Sequence, residues 1–441
     1  MQAYIKRHWV ALIPVFIGIA FSLTAILYAG SEKAEFGDAR DYINAAHSFL
    51  NGIPYPRISF SQPMFRPPLF PLWMAAIWSV FPNSIFAVKI AQVLLHGGTV
   101  FVAYRIVYEI LRKKTPALMG AFICAINPLL VAYTLDIYTE PLYTFLCALG
   151  MLLVVKLLKS DSRWFLHALG AGVIFGLAVL CRPAVLGIAL PIGVIFPLFY
   201  LKSGNFLKYS AAAVIFIGSI FLTLAPWTYQ NYRDTGEFIL VNDGFSYNLW
   251  VGNRPEALRI YEDDFSSVEE RNAYADSFWG GVQAKIAEFE TTDNYSSLTL
   301  NEKEKVWKKA AIKDITQDYG LTASLVFEKF RVFWTPFLDK FLYSPKVGML
   351  VAIFVIGTYI FGAYGAYVFS QSPGGGKFVI LLLITFLVTT MLHVMIIALL
   401  RYRVPNVDPY LSMLAGVAVW NIATKIFPGN FLNASVITPS K

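Results

Sequence analysis

Carboxylate side chains cluster in two short polar segments of an otherwise apolar chain. Asp38 and Asp41 lie in the first segment, and Asp136 and Glu140 lie in the second. A carboxylate beside an acceptor hydroxyl can take its proton as a general base. The same acids also have plainer roles, because an acid in the first turn of a helix stabilises that helix and an acid beside an arginine can form a structural ion pair.

Four arginines stand at the ends of apolar runs, close to proline or tyrosine: Arg66, Arg182, Arg401 and Arg403. Arginine near hydrocarbon costs a few kcal/mol, roughly 2.5–3.5 at mid-helix, unless an anion compensates its charge. The anion is either one of the four acids or the phosphate of a lipid, since the planar guanidinium binds two oxygens at once. Arg182 could instead snorkel to the interface, and the others could bind bulk lipid head groups.

Carboxylates and guanidinium groups together suit transfer of a group from a phosphate-linked donor. A sugar on a polyprenyl phosphate already has a good leaving group, so a cation need only stabilise the departing phosphate. The acceptor hydroxyl needs a base, which one carboxylate supplies. Such a reaction needs no covalent nucleophile and inverts the anomeric centre.

The composition requires a lipid environment. The chain has 441 residues, 57% hydrophobic and 15% charged, whereas soluble proteins average roughly 25% charged residues. The net charge of +8 does not indicate nucleic acid, because the basic residues form short clusters between apolar runs, as in cytoplasmic loops. Cys124, Cys147 and Cys181 lie in apolar runs, which predicts buried thiols without disulfides.

Basic residues orient the chain in the membrane. Lys6 and Arg7 predict a cytoplasmic N-terminus, and residues 30–66 then form a polar outer loop. The basic cluster at 112–114 marks the return to the cytoplasm. The intervening apolar segment 67–81 must not span if this orientation holds, so we predict an interfacial or re-entrant helix there.

The remaining apolar runs alternate between the two sides, which predicts about ten or more transmembrane helices with both termini inside. After the runs at about 9–29 and 84–111, they lie at about 115–133, 141–158, 164–181, 184–201, 209–227, 345–369, 378–399 and 410–427. The fold class is an all-α polytopic membrane protein with juxtamembrane helices. Residues 1–227 form an N-terminal transmembrane module, and the polar residues 228–325 form a small α-rich extracytoplasmic domain. Residues 326–441 comprise a juxtamembrane helix and the C-terminal transmembrane helices.

The polar motifs resemble, in order, those of the lipid-carrier-dependent glycosyltransferases of the GT-C superfamily. The likeness is to bacterial relatives of the protein O-mannosyltransferases and aminoarabinose transferases. The motifs are Asp38-x-x-x-Tyr42, Arg66-Pro67-Pro68, Asn127-Pro128, Thr139-Glu140-Pro141, Arg182-Pro183, Pro226-Trp227-x-x-x-Asn231, Gly252-Asn253, Arg331-x-x-Trp334 and Arg401-Tyr402-x-x-Pro405. Each is weak alone, but their succession over most of the chain is fairly specific.

The resemblance implies a sugar donor on polyprenyl phosphate, such as undecaprenyl phosphate, and a site facing the periplasm or exterior of a bacterial inner membrane. The acceptor would be a glycan, a lipid such as lipopolysaccharide, or a protein. The family's first-loop acid matches Asp38 as general base, and its second acidic position matches Glu140, with Asp136 nearby. Asp41 is an additional acid beside Asp38 and a further catalytic candidate.

The family's basic phosphate contacts match Arg66, Arg401 and Arg403, to which we add Arg182. Three tyrosines within these motifs are candidate substrate contacts: Tyr42, Tyr138 and Tyr402. The turn reads Asp-x-x-x-Glu where metal-using oligosaccharyl relatives have Asp-x-Asp. We therefore expect no cofactor, and a divalent metal is possible but not favoured.

Two other functional classes compete with a transferase. A transporter or lipid flippase of glycoconjugate precursors would carry ionisable residues near the midplane and internal repeats, whereas the charges here cluster at one face. An assembly or receptor protein would not need converging acids and arginines. The question that separates them is whether Asp38 faces Glu140 and the arginines at 401 and 403 across one outer cavity.

Overall fold

The computed structural model describes residues 8–30, 37–56, 65–159 and 162–427. Lys6, Arg7 and parts of the predicted outer loop lie outside these residues. In chain order the α-helices are α1 (Leu12–Ala29), α2 (Ala39–Asn51), α3 (Leu69–Trp78), α4 (Ile85–Leu111), α5 (Lys114–Ala125), α6 (Pro128–Ala132), α7 (Glu140–Lys159), α8 (Trp164–Cys181), α9 (Leu186–Leu198), α10 (Phe206–Thr235), α11 (Phe245–Asn253), α12 (Ala257–Glu262), α13 (Val268–Asp293), α14 (Leu300–Gln317), α15 (Tyr319–Trp334), α16 (Pro345–Ser370), α17 (Gly375–Met395), α18 (Leu400–Arg403) and α19 (Asp408–Ile426). The described residues contain no strand, so the predicted all-α class is confirmed.

Seven of these helices are long and apolar enough to cross a membrane. They are α1 with its preceding 3-10 turn, α4, α7, α8, α10, α16 and α17. The three other predicted spans, at 115–133, 184–201 and 410–427, coincide with helices that are short, interrupted or less apolar. The predicted spans therefore all fall on helices, but length and composition alone support seven of them.

The interruption between α5 and α6 has a local cause in the sequence. Asn127 Oδ1 accepts hydrogen bonds from the backbone N–H groups of Leu129 and Leu130 at 2.9 and 3.3 Å, and Pro128 is the first residue of α6. This is a side-chain N-cap followed by proline, the arrangement that starts a new helix. Asn127 Nδ2 also donates to Ser412 Oγ at 2.9 Å, which fixes the break against α19.

The segment predicted to be interfacial or re-entrant forms the short helix α3. Its 10 residues extend about 15 Å, roughly half of the hydrocarbon thickness. The helix is therefore too short to cross the bilayer, as the predicted orientation of the chain requires.

Glycines allow close helix packing around α19. A Cβ atom on Gly416 would lie 2.3 Å from the backbone nitrogen of Gly120 in α5, and one on Gly365 in α16 would lie 1.9 Å from the carbonyl oxygen of Leu414. In lipid, association depends on close packing rather than on hydrophobic burial, so small residues are favoured at such contacts. These contacts hold α19 between α5 and α16.

The two ends of the bundle differ in their polar contacts. At one end, Lys89 Nζ in the first turns of α4 donates to the carbonyl oxygen of Gly30, just after α1, at 3.0 Å. At the other end, Lys159 Nζ at the close of α7 donates to the carbonyl oxygen of Glu109 in α4 at 2.7 Å. We call the first the site end, because Asp38, Glu140, Arg182 and Arg401 also lie at helix ends there.

Residues 236–334, which we call the polar module, comprise a loop and helices α11 to α15. Their core surrounds Trp307, whose indole N–H donates to the Tyr295 hydroxyl at 2.8 Å, and the ring of Tyr247 meets it edge-on. The bounds differ from the predicted domain 228–325. Helix α10 continues to Thr235 although Pro226 lies within it, and α15 crosses the predicted boundary at 325.

Candidate active site

Asp38 contacts two arginines from distant parts of the chain. Arg66 Nη2 donates to Asp38 Oδ1 at 2.7 Å, and Arg401 Nη2 donates to Asp38 Oδ2 at 3.1 Å. The side chains of Asp38 and Arg401 are both 15% exposed. The cluster is therefore shielded from bulk solvent but remains accessible, as a substrate site must be.

Helix α2 places the two acids of the first loop on the same arginine. Asp38 is the N-cap residue of this helix, and Asp41 lies in its first turn. Arg66 donates to Asp41 Oδ2 twice, from Nε at 3.0 Å and from Nη2 at 2.7 Å. Asp41 is more deeply buried than Asp38, with a side chain 3% exposed against 15%. Asp41 thus holds Arg66, and Asp38 is the acid that faces the open side.

Glu140 joins the second polar segment to the same cluster. It is the first residue of α7, and its carboxylate is almost completely buried. Glu140 Oε1 lies 3.0 Å from Arg182 Nη2 and 4.0 Å from Arg401 Nε. Arg401 therefore lies between Asp38 and Glu140, and the convergence expected of a transferase is present for these three residues.

Three acids and three arginines make up the cluster, so their formal charges balance. They are Asp38, Asp41 and Glu140 with Arg66, Arg182 and Arg401. Burial opposes the charge on Arg182, but attraction to Glu140 outweighs it and raises the pKa of Arg182 above its usual value. The arginine therefore stays charged, although it is enclosed by protein.

Aromatic rings surround the arginines. The Arg182 guanidinium lies over the rings of Tyr402 and Tyr143, at 5.1 and 5.7 Å from their centroids, and Arg401 Nη2 donates to the Tyr402 hydroxyl at 3.3 Å. Such contacts favour a partly desolvated guanidinium. The sequence reasoning selected Tyr402 but missed Tyr143, whose spacing of three residues from Glu140 puts both on one face of α7.

The other two candidate tyrosines have different neighbours. The Tyr42 ring faces the Arg66 guanidinium at 5.6 Å, and burial raises the pKa of Tyr42, so its hydroxyl stays protonated. The backbone N–H of Tyr138 donates to Gln92 Oε1 at 3.2 Å. Burial, with Asp136 and Glu140, raises the pKa of Tyr138 to about 12. Both hydroxyls are neutral donors at physiological pH.

Two candidate residues have contacts outside the cluster. Asp136 Oδ1 accepts from the backbone N–H of Ile137 at 2.6 Å and so stabilises its own turn. Arg403 is two residues beyond Arg401 on α18, about 200° around a helix axis. It pairs with Asp408 at 3.0 Å, both side chains being fully buried. It also donates to the carbonyl oxygen of Thr335 at 3.0 Å.

Replacing Arg403 by methionine is expected to destabilise the protein, because it leaves Asp408 charged and buried. Breaking such a pair costs about 3–5 kcal/mol, and a thermal melt of the purified protein in detergent measures it. The double variant Arg403→Met, Asp408→Asn should recover part of the loss. Arg233→Met, which removes a guanidinium that is 62% exposed, should melt like the wild type. An equal melting temperature for Arg403→Met would contradict the structural role.

The described parts of the chain hold no group of three or more His, Cys, Asp or Glu residues arranged to bind a metal ion. Asp38, Asp41 and Glu140 are each paired with an arginine, so a cation would have to displace guanidinium groups to bind there. The expectation that no metal is needed stays a prediction.

The comparisons with known proteins concern the fold and part of the sequence. Residues 65–229, less than half of the chain, match the family model of dolichyl-phosphate-mannose-protein mannosyltransferase. No curated protein sequence matches the chain significantly. The archaeal oligosaccharyltransferase AglB from Archaeoglobus fulgidus, solved with an inhibitory peptide and a dolichol-phosphate, is 12% identical with a TM-score of 0.54. The match covers 96% of this chain and 51% of that one.

Two further structures are similar. The oligosaccharyltransferase of the same organism, tethered to an acceptor peptide containing the NVT sequon, is 14% identical with a TM-score of 0.55, over 96% of this chain and 50% of that one. ArnT from Cupriavidus metallidurans, bound to undecaprenyl phosphate, is 12% identical over 93% of this chain and 78% of that one, with a TM-score of only 0.43. This chain spans about half the length of the archaeal proteins.

The apolar helices and these structural relatives define the class as a multi-pass membrane protein. The chain shares its fold with the archaeal oligosaccharyltransferases, and residues 65–229, most of them in its N-terminal half, match the mannosyltransferase family model. The resemblance inferred from the polar motifs is thereby supported by the fold and by the match of residues 65–229. Sequence identities of 12–14% limit what these structures show to the fold of the chain.

Proposed function

We propose that the chain is an inverting glycosyltransferase that moves a sugar from a polyprenyl-phosphate carrier to an acceptor hydroxyl or phosphate. The observation that carries this proposal is the position of Asp38 between Arg66 and Arg401, at 2.7 and 3.1 Å. A base and two phosphate-binding groups meet there, although the chain separates them widely. A site of this composition supplies what transfer from a phosphate-linked donor needs.

The reaction starts with the acceptor hydroxyl beside Asp38. Asp38 takes the proton as the acceptor oxygen attacks the anomeric carbon of the sugar. The bond from that carbon to the phosphate oxygen breaks, and its electron pair leaves with the polyprenyl phosphate. Arg66 and Arg401 stabilise the negative charge that grows on the phosphate. One displacement without a covalent intermediate inverts the anomeric configuration.

The remaining cluster residues position these groups. Asp41 holds Arg66 through two hydrogen bonds to one oxygen. Glu140 holds Arg182 and lies beside Arg401, so we assign it the orientation of the guanidinium groups and not the proton transfer. Arg182 adds a third positive charge to the phosphate site. Tyr42, Tyr138 and Tyr402 are the proposed substrate contacts, whereas Arg403 has an internal partner.

The location proposed for the site is the outer face of a bacterial inner membrane, towards the periplasm. The residues 112–114 and Lys159 lie at the end of the bundle opposite the cluster. Excess Lys and Arg mark the cytoplasmic side of membrane proteins.

The family model that matches residues 65–229 is described by a dolichyl-phosphate-mannose donor, and the similar archaeal structure holds a dolichol-phosphate. Both support a lipid-linked donor. A lipid, a glycan or a protein fits as the acceptor.

A transporter or flippase is less well supported. Such a protein places its ionisable groups near the midplane, where the substrate passes. The cluster here lies at the ends of helices, with Asp38 before α2, Glu140 at the start of α7 and Arg182 just after α8. Groups at one end of a bundle suit a reaction at one membrane surface.

The proposal is tested with purified protein in lipid nanodiscs and a panel of polyprenyl-phosphate sugars. We expect one or more donors to be consumed in the presence of a lipid, glycan or peptide acceptor, with mass spectrometry identifying the glycosylated product. NMR of that product should show inversion at the anomeric carbon. A product with retained configuration, or no consumption of any donor with any acceptor, would contradict the assignment.

A further inference from the structure

The two arginines that contact Asp38 both lie in segments that the polar module binds through their backbones. Arg66 follows Phe65, and Arg401 lies in the short segment between α17 and α19. Neither segment belongs to a long helix. The spacing of the two guanidinium groups therefore depends on the contacts that hold each segment in place.

Phe65 is held on both of its backbone polar groups. Its N–H donates to Asp243 Oδ1 at 3.0 Å, and its carbonyl oxygen accepts from Asn242 Nδ2 at 3.2 Å. The Phe65 side chain is 1% exposed and packs against Ile239. We call Asn242 and Asp243 the Phe65 clamp. It fixes the residue immediately before Arg66 to the loop of the polar module.

Asp243 is itself buried against other charged groups of the module. Glu304 accepts from the backbone N–H of Gly244 at 2.5 Å and so lies beside Asp243, and Lys303 is the neighbouring cation. Burial, with the charge of Glu304, raises the pKa of Asp243 to about 7. Protonated and ionised forms both present a carbonyl-type oxygen to Phe65 N–H, so asparagine can replace the hydrogen bond.

The second arginine is held through Ile396 and its neighbours. Lys329 Nζ donates to the carbonyl oxygen of Ile396 at 3.1 Å and to Asn253 Oδ1 at 2.8 Å. Asn253 Nδ2 in turn donates to the carbonyl oxygen of Met395 at 2.9 Å. We call Asn253 and Lys329 the Ile396 clamp. Its residues come from α11 and α15, and it fixes the chain a few residues before Arg401.

Close backbone contact reinforces the Ile396 clamp. A Cβ atom on Gly252 would lie 1.9 Å from the carbonyl oxygen of Ile396, so only glycine fits there. Lys329 is completely buried, and burial lowers its pKa to about 7. A buried lysine is costly unless oxygens or an aromatic ring compensate its charge, and the Tyr261 ring lies 5.8 Å from Nζ. The hydrogen bonds to Asn253 and Ile396 therefore do more than hold the segment, because they also stabilise the buried lysine.

We propose that Asp243 and Lys329 are positioning residues, through which the polar module sets the spacing of Arg66 and Arg401 around Asp38. This inference rests on the proposed function for its catalytic meaning, but not for its structural content. The polar module then fixes the positions of the arginines that bind the donor phosphate, in addition to contacting any acceptor. Displacing a binding group by about 1 Å can lower turnover about 10²-fold.

The structural part is tested by hydrogen–deuterium exchange of the full-length protein in nanodiscs. Asp243→Ala should increase exchange in residues 65–72 and leave 396–403 unchanged, whereas Lys329→Met should do the reverse. Asn253→Ala tests the Ile396 clamp a second time if Lys329→Met does not fold. The exposed residues Asp276 and Lys308 supply the controls Asp276→Ala and Lys308→Met, which should change neither segment.

Kinetics with the donor found in the nanodisc assay test the catalytic part. We expect Asp243→Ala and Lys329→Met to raise the KM for the donor about tenfold or more, and Asp243→Asn to restore wild-type values. Unchanged exchange in both segments, or loss in Asp243→Asn equal to that in Asp243→Ala, would overturn the positioning role. Exchange that changes as expected in a protein that turns over no donor would leave the clamps standing and refute the proposed function.

Discussion

Asp38→Asn is expected to lower the rate of sugar transfer by about 10³-fold or more while leaving the fold intact, because general-base catalysis contributes about 10²–10⁴-fold. Asparagine keeps only one oxygen, so it can accept from Arg66 or from Arg401 but not from both. Asp41 still holds Arg66 and Glu140 still lies beside Arg401, so the cluster should still assemble. Asparagine cannot take the proton of the acceptor hydroxyl. The measurement is single-turnover transfer by the purified variant with saturating donor and acceptor.

Asp276→Asn is the matched control, because Asp276 is an exposed acid on the polar module. It should transfer sugar at the wild-type rate. Asp41→Asn separates positioning from proton transfer, since Asp41 contacts Arg66 and is more deeply buried. We expect that variant to lose donor affinity more than it loses turnover at saturation. Wild-type turnover by Asp38→Asn would remove Asp38 from the mechanism.

Arg401→Gln is expected to have the second largest effect, a fall in kcat/KM for the donor of about 10²–10³-fold. Arg401 is the residue that lies between Asp38 and Glu140, at 3.1 and 4.0 Å. Its removal takes away a charge-assisted contact to the phosphate and leaves Glu140 with Arg182 alone. Initial rates over a range of donor concentrations, at saturating acceptor, measure the change.

Arg401→Lys refines this prediction. Lysine keeps the charge but cannot bind two anions with one planar group, so we expect partial recovery of kcat/KM. Arg233→Gln, at an exposed arginine, should be indistinguishable from the wild type. If Arg233→Gln and Arg401→Gln impair transfer equally, the effect comes from overall charge and the proposed phosphate contact is wrong.

The sequence predicted the class of the fold and seven of the membrane spans, because both follow from apolar run lengths and the placement of basic residues. It also selected Asp38, Arg66, Glu140 and Arg401, which the structure brings together. Charged residues next to apolar runs cost free energy in a membrane and are therefore rare there, so the few that occur are easily recognised in the sequence.

The sequence could not separate residues of similar type that face different ways. Arg401 and Arg403 are both arginines of one motif, yet Arg403 pairs with Asp408 in the interior. Their side chains point in different directions because two positions along a helix differ by about 200° around its axis. Arg403 thereby meets Asp408 at the start of α19. The Phe65 and Ile396 clamps were also missed, because each joins residues far apart in the chain: Asp243 is 178 positions from Phe65.

The central claim is that carboxylates and arginines at the site end surround one lipid-borne phosphate. The most direct test is a binding titration with undecaprenyl phosphate, which carries no sugar. Saturable binding to the purified protein in nanodiscs is predicted. Arg66→Gln and Arg401→Gln should each weaken it about tenfold or more, whereas Asp38→Asn should leave it unchanged or tighten it by removing a like charge. Absence of saturable binding, or equal binding by the wild type and all three variants, would contradict the claim.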